Sequence, residues 1–504
     1  MSTVRNAPTW QAKKLSPERI AGTECGMPDD LLYMTAAEAT QRIRRRDLSP
    51  VTYVRAVLAA IEASQPLINA FVTTCPAEAL EAAQAAEDAV KRGENLGPLH
   101  GIPVSVKDLV AVDGLHNKQG SLLFADNVAD HDAPAVARLK AAGAIVVGKT
   151  TTPEFGHKGL TDCPLTGITR NPWNLDHTPG GSSGGASAAV AAGLAPLAVG
   201  TDGAGSIRGP AASTGIVGLK PTRGRVPHEA KGEPFGNQSY SGPMTRTVSD
   251  AALMLDVMAG PHVVDPWSLA EGIPPPLAAL DGNDLSGITI GYAEKMANPQ
   301  IDPEVAANTK AALGVFEDLG ARVESVADGF DWAEPAGRVL YQSGFHVMVQ
   351  AMSDDQRAKL TPSLVTFATW GGKFSLADRA AAEAARGALY HRVQGLFGRF
   401  DFLMSPTAAC PPLKADFDAT SDVVINGKPC GITRQSWTAY QYPFNLTGHP
   451  ALSVPSGFTQ ARLPTALQIV GPWWSDHQVL RLGALLEHAR PWAHLRPPAK
   501  NRGR

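Results

Sequence analysis

From about residue 100, short apolar runs alternate with alanine-rich segments and glycine turns, and this alternation constrains the fold more than any other feature of the chain. Residues 102–106 and 144–147 read as buried strands, and residues 134–142 and 186–192 as helices. Strands that alternate with helices pack into a mixed or mostly parallel sheet covered on both faces. The strand pattern resumes at 287–292, after a proline-rich polar connection over 265–285, and helices are expected over 303–319 and 376–399. Before residue 100, Thr35 with Glu38 three residues on has the form of a capping box. Ser49 followed by Pro50 opens a second helix, and an alanine-rich helix covers about 77–92. These early helices read as packing and interface elements. Residues 1–34 are expected to form an N-terminal arm, and the basic, proline-containing residues 491–504 a frayed tail.

Composition narrows the function classes. With 504 residues, 44% hydrophobic and 18% charged, the chain can bury a large core. Its net charge is -3, and its one basic cluster, Arg42 to Arg46, falls on an amphipathic helical pattern. That cluster reads as a solvated face, so nucleic acid is not an expected partner. The five cysteines, Cys25, Cys75, Cys163, Cys410 and Cys430, are scattered and form no C-x-x-C pair. They indicate neither a disulfide framework nor a zinc site. No apolar run reaches the roughly 18 residues of a membrane span, and the first thirty residues carry no signal-like apolar core. A cytoplasmic protein that does not enter a membrane is expected.

The chemistry concentrates in three places. In Gly180-Gly181-Ser182-Ser183-Gly184-Gly185, four glycines surround two serines ahead of an alanine-rich helix. Backbone N–H groups can converge there, as an anion cradle or a catalytic turn; a flexible linker fits less well before a helix. The second place is Gly200-Thr201-Asp202-Gly203-Ala204-Gly205-Ser206-Ile207-Arg208, which follows an apolar run over 197–199. A strand that ends in a glycine turn presents the Ser206 hydroxyl beside backbone N–H groups, as acyl transfer requires; Ser206 could equally cap the next helix. The third is Lys107, at the end of the apolar strand in Gly101-Ile102-Pro103-Val104-Ser105-Val106-Lys107-Asp108. A buried lysine is either a base, because burial disfavours the ammonium, or the partner of a carboxylate such as Asp108.

Other matches carry less. Gly180–Gly184 and Gly181–Gly185 fit the G-x-S-x-G elbow, but a loop rather than a strand precedes them. His116, His131, His157 and His177 lie in loops outside any motif. Residues 143–150 fit the P-loop pattern, yet a helix precedes them and Pro153 follows, the reverse of what a P-loop needs.

Taken together, the three segments resemble the amidase signature family in order and spacing. Gly148 to Phe155, Arg170 to Trp173, Gly218 to Thr222, Gly242 to Arg246, Pro443 to Pro450 and Gln468 to Pro472 extend the resemblance over about residues 35–490. It implies an α/β/α fold with one large, mixed, twisted sheet flanked by helices. It also implies a Ser–cis-Ser–Lys triad: Ser206 as nucleophile, Ser182, after a cis peptide bond, as relay, and Lys107 as base. The N–H groups of Gly203, Ala204, Gly205 and Ser206 would form the oxyanion hole, with Ser183, Asp202 and Arg208 in support. The implied activity is hydrolysis of a small-molecule carboxylic amide, without metal or organic cofactor, and the family often dimerises through its N-terminal helices.

One departure stands out. Many members carry two adjacent glycines before the nucleophile, where this chain has Ala204-Gly205 preceded by Gly203. The alternatives are a carbamate or ester hydrolase with the same triad, the glutamine-hydrolysing component of a tRNA amidotransferase (its A chain), and a non-catalytic binding protein on the same fold. Gly203-Ala204 and Gly209-Pro210 look more like stand-alone amidases. Phe155, Trp370, Trp437 and Tyr440 are candidate pocket walls, with core packing the simpler role for each. They favour an aryl or hydrophobic acyl group.

Overall fold

The apolar runs become strands of one sheet. The computed structural model describes residues 29–230, 233–269, 283–296, 298, 300–326, 330 and 334–503. In chain order the strands of the large sheet are β1 (Phe71–Thr74), β2 (Pro103–Lys107), β3 (Ile145–Thr150), β4 (Leu197–Asp202), β5 (Val217–Lys220) and β6 (Tyr240–Thr245). They continue as β7 (Thr289–Tyr292), β8 (Arg322–Ser325), β9 (Phe402–Pro406), β10 (Ala451–Phe458) and β11 (Pro464–Val470). These eleven strands lie in the order β1-β3-β2-β4-β6-β5-β10-β11-β9-β7-β8. The trio β3, β2, β4 is parallel, as is the trio β9, β7, β8, and the remaining neighbours are antiparallel. The sheet is therefore mixed, as expected, and flanked by helices.

Every residue of β2 and of β4 is buried. Successive side chains of a strand point to opposite faces, so both faces of the sheet are covered there. The helix Gly184–Ala191, all of it buried, packs on β2 and β4. Its glycines and alanines let it approach closely. Pro303–Asp318 packs on β10 and β11.

The early helices start where their caps predict. The Thr35 hydroxyl accepts from the Glu38 amide ahead of Ala36–Arg44, and Ser49 caps Pro50–Ile68. Glu38 does not close a capping box; its carboxylate pairs with Arg42 at 2.9 Å. The alanine-rich helix is Pro76–Arg92.

The ends differ from expectation. Residues 1–28 of the arm lie outside the described residues, but Leu32, Tyr33 and Met34 are buried, and the Tyr33 hydroxyl donates to Ala191 O at 3.1 Å. The tail does not fray. Trp492 is buried and its indole N–H donates to Arg246 O at 2.9 Å, while Asn501 donates to Pro172 O at 3.0 Å. The guanidinium groups of Arg496 and Arg502 lie over the Tyr33 ring, so cations that composition assigned to solvent cover an aromatic face instead. No helix among the described residues is long and apolar enough to cross a membrane.

Candidate active site

Lys107 closes β2 and is fully buried. Its Nζ meets four oxygens: Ser182 Oγ at 2.7 Å, Ser183 Oγ at 2.8 Å, Thr201 Oγ1 at 2.9 Å and Thr201 O at 3.4 Å. None belongs to a carboxylate. Asp108 follows just past the strand and turns elsewhere, accepting from the amides of Lys118 and Gly120 and lying 3.8 Å from Lys149 Nζ. The reading of Lys107 as the ion-pair partner of Asp108 therefore falls. Burial drives the Lys107 amine well below the ordinary lysine range, and the more distant Asp202 charge opposes this only in part. Lys149, the lysine of the P-loop lookalike, lies on β3 and donates to Val110 O at 2.7 Å, a structural contact.

Ser182 and Ser183 sit in the turn ahead of Gly184–Ala191, and the Gly181–Ser182 peptide bond is cis, as the resemblance implied. Gly181 is packed against the chain at Leu160: a Cβ there would stand 2.6 Å from the Leu160 nitrogen. The two hydroxyls differ. Ser183 donates to Thr201 O at 3.1 Å and accepts from the Thr201 amide at 3.3 Å, so towards Lys107 it can only accept. Ser182 has Lys107 as its one hydrogen-bond partner among the described residues, so it can give its proton to a neutral amine.

Ser206 lies in the turn after β4, next to β2 in parallel register, so the lysine and the serine turn emerge at the carboxyl ends of adjacent strands. The Ser206 carbonyl accepts from the Ser183 amide at 3.2 Å, which ties the two turns together. Ser206 is partly exposed, and its hydroxyl makes no hydrogen bond among the described residues. It does not cap Arg208–Thr214, whose cap is Ile207. The structure thus joins Lys107 to Ser182 by side chains, and Ser206 to Ser183 through the backbone.

The expected oxyanion donors divide. The Gly205 N–H donates to Asp202 Oδ1 at 2.6 Å and is not free to meet an oxyanion in this arrangement. The amides of Gly203, Ala204 and Ser206 make no hydrogen bond within the described residues. Gly205 serves the backbone instead. Its φ is +105, and a Cβ there would run into the Gln441 side chain. Gly203 has neither a positive φ nor a close neighbour, so the glycine that the turn requires is Gly205 alone, and alanine at 204 costs the backbone nothing.

Beneath the turn, Asp202 and Arg208 are both fully buried. Burial by itself would raise the Asp202 carboxyl. The Arg208 guanidinium, with hydrogen bonds from Arg208 and Asn445, more than reverses this and holds it well below the usual carboxylate range. Arg208 has an acceptor for every N–H: Asp202 through Nε and Nη2, Asn445 Oδ1 at 2.6 Å, Gln441 O at 2.8 Å and Gln468 Oε1 at 2.7 Å. Asn445 and Gln468 lie within segments that carried the family resemblance, but no role was readable for them. The available signal was a polar side chain in an otherwise apolar run.

Beside Gly203 and Ala204 opens a cavity with about 500 Å³ of space free of protein atoms, part of it open to solvent. Its other walls come from Glu334–Gln350, Pro362–Gly371 and residues 432–446, including Tyr341, Phe367, Tyr442 and Leu446. None of the four expected wall residues lines it. Trp437 and Tyr440 are core residues, bonded to Cys410 O and Glu294 O, Phe155 packs on Phe124, and Trp370 packs on Phe367. The four histidines bond neither Ser182 nor Ser206; His157 is buried between Glu154 O and Ser363 Oγ, and burial lowers it to about 3.

A buried lysine among hydroxyls, a serine turn with unengaged amides and an adjacent cavity define the class: an enzyme that hydrolyses amide bonds. The chain belongs to the amidase signature family, and the family model described as Amidase matches residues 52–480. An acylamidase of Rhodococcus erythropolis is 38% identical over 472 residues, 93% of this chain and 98% of that protein. The A chain of the Glutamyl-tRNA(Gln) amidotransferase of Methylococcus capsulatus is 34% identical over 491 residues, 92% of this chain and 98% of that protein. Among solved structures, a bacterial aryl acylamidase of the amidase signature family superposes with a TM-score of 0.84 at 32% identity, covering 91% of this chain and 97% of that one.

Proposed function

We propose that this chain is a stand-alone acylamidase that cleaves a carboxylic amide with Ser206 as nucleophile, Ser182 as proton relay and Lys107 as base. The observation that carries the reading is the Lys107 amine, buried without a carboxylate, 2.7 Å from a hydroxyl that has no other partner among the described residues. Neutral Lys107 takes the Ser182 proton as Ser182 takes that of Ser206, and the Ser206 oxygen attacks the carbonyl carbon. The oxyanion forms beside the amides of Gly203, Ala204 and Ser206, each worth roughly 3 kcal/mol to the transition state. The C–N bond then breaks, Ser182 passes its proton to the leaving nitrogen, and Lys107 returns one to Ser182. Water releases the acid by the same relay. Asp202 and Arg208 hold the turn; Ser183 holds Lys107 against Thr201.

The cavity walls Phe367, Tyr341, Tyr442 and Leu446 favour an aryl or apolar acyl group. Purified protein and Ser206→Ala, in the presence of chelator, would be assayed on p-nitroanilides, aliphatic amides, carbamates, esters and glutamine. Cleavage of anilides by the wild type, lost by several orders of magnitude in Ser206→Ala, supports the reading. Full activity in Ser206→Ala would refute it. Faster carbamate or ester cleavage moves the substrate class within the same triad. Activity on glutamine alone, dependent on partner proteins, would make the chain the glutamine-hydrolysing part of an amidotransferase, which its 34% identity to such a protein keeps in view.

A further inference from the structure

The cavity beside Ala204 holds a charge that the hydrolytic machinery leaves unused. Two arginines line it. Arg338 stands 3.3 Å from the Glu334 carboxylate and is neutralised by it. Arg434 has no carboxylate within ion-pair distance among the described residues; its guanidinium carbon lies over the Tyr341 ring, 3.5 Å from the centroid. Stacking engages the face of a guanidinium, whereas its N–H donors point outward in the plane. Of those, Nη2 alone has a partner among the described residues, the His157 carbonyl at 3.5 Å.

One turn connects this arginine to the proposed reacting groups. The Tyr341 hydroxyl donates to Gly156 O at 3.0 Å, and a Cβ on Gly156 would lie 3.0 Å from Ser182 Oγ. One turn, residues 154–157, thus borders both the relay serine and the ring that seats Arg434. Gln342, 4% exposed in the same lining, has a side-chain oxygen without a partner among the described residues. Nothing on that oxygen holds its amide in one orientation, so its NH2 can turn to the same ligand.

We propose that Arg434 sets the acyl specificity, and that the pocket takes amides whose apolar acyl chain carries a second, free carboxylate, received on the edge of the guanidinium. This rests on the reading that the cavity holds the acyl part of an amide cleaved at Ser206. A wholly apolar acyl group would strip water from the guanidinium and return no acceptor. A carboxylate returns charge-assisted, bidentate hydrogen bonds, while Phe367, Ile432 and Leu446 cover the methylenes between it and the scissile carbonyl.

The test compares p-nitroanilides with one leaving group and matched carbon counts: butyric against succinic, valeric against glutaric, hexanoic against adipic. For the best-fitting length, the wild type should prefer the diacid derivative by about tenfold or more in kcat/KM, mainly through KM. In Arg434→Met that ratio should fall to one or below, and in Arg434→Lys it should be intermediate. A ratio measured on one preparation is independent of the folded fraction, so a poorly folding variant still reports. No preference for a diacid at any length in the wild type, or a preference intact in Arg434→Met, would overturn the proposal. Absence of all anilide cleavage, or cleavage undiminished in Ser206→Ala, would overturn the reading as an acylamidase acting through Ser206 instead.

Discussion

Ser183 and Lys107 lie 2.8 Å apart, yet the Ser183 hydroxyl gives its proton to the Thr201 carbonyl, leaving the neighbouring Ser182 as the hydroxyl that can exchange one with the lysine. Two adjacent serines of like chemistry are thereby made unequal. Ser182→Ala should lower kcat by roughly a thousandfold or more, whereas Ser183→Ala should lower it by roughly tenfold through a looser lysine. Steady-state kinetics on one p-nitroanilide measure both. The opposite order would exchange their roles.

A lysine base works only when neutral. Lys107 has its amine lowered by burial, so kcat/KM should rise with pH through an ionisation below the ordinary lysine range and then level off. Lys107→Arg, charged at every accessible pH, should abolish the activity with its acid limb. A pH profile of kcat/KM reads this directly. A limb that survived in Lys107→Arg would assign the ionisation elsewhere.

Asp202 and Arg208 form a buried pair whose loss leaves an uncompensated charge. Asp202→Asn should destabilise the fold by about 3–5 kcal/mol in urea titrations. The Asp202 carboxyl is held below its unfolded value, so its contribution is present above the unfolded carboxylate range and is lost as pH falls through its own lowered ionisation. The acid loss of stability should therefore be shallower in Asp202→Asn than in the wild type. Parallel pH curves for the two proteins would remove Asp202 from that balance.

The turn before Ser206 needs glycine at one position. Gly205→Ala faces a φ of +105 and the Gln441 side chain, and should cost about 1–3 kcal/mol in backbone strain besides displacing Ser206. Gly203→Ala has room for its methyl and an ordinary φ, and should be neutral or stabilising by up to about 1 kcal/mol. Thermal unfolding of the two variants checks this; equal losses would contradict the geometry.

Helix starts were legible because caps act within four residues: Thr35, Ser49 and Pro50 lie where their helices begin. The strands were legible because burial on both faces demands continuous apolar runs, as in β2 and β4. The cavity walls were not. Phe367 and Trp370 are aromatic residues of one helix, and only the packing of Glu334–Gln350 against it places the first at the cavity and the second outside its lining. The tail was misjudged because composition counts arginines without seeing the Tyr33 ring they cover.

The sequence by itself determined the family, the mixed α/β sheet and the three segments that supply Lys107, Ser182 and Ser206, because glycine turns at strand ends and a lysine in an apolar strand are local signals. Tertiary structure alone decided which hydroxyl has a proton free for Lys107, which amides of the turn stay unengaged, and which side chains line the cavity beside it. Each of these depends on a hydrogen-bond partner or a neighbour distant in the chain, such as Thr201 for Ser183, Asn445 for Asp202 or Tyr341 for Arg434, and no local pattern encodes that pairing.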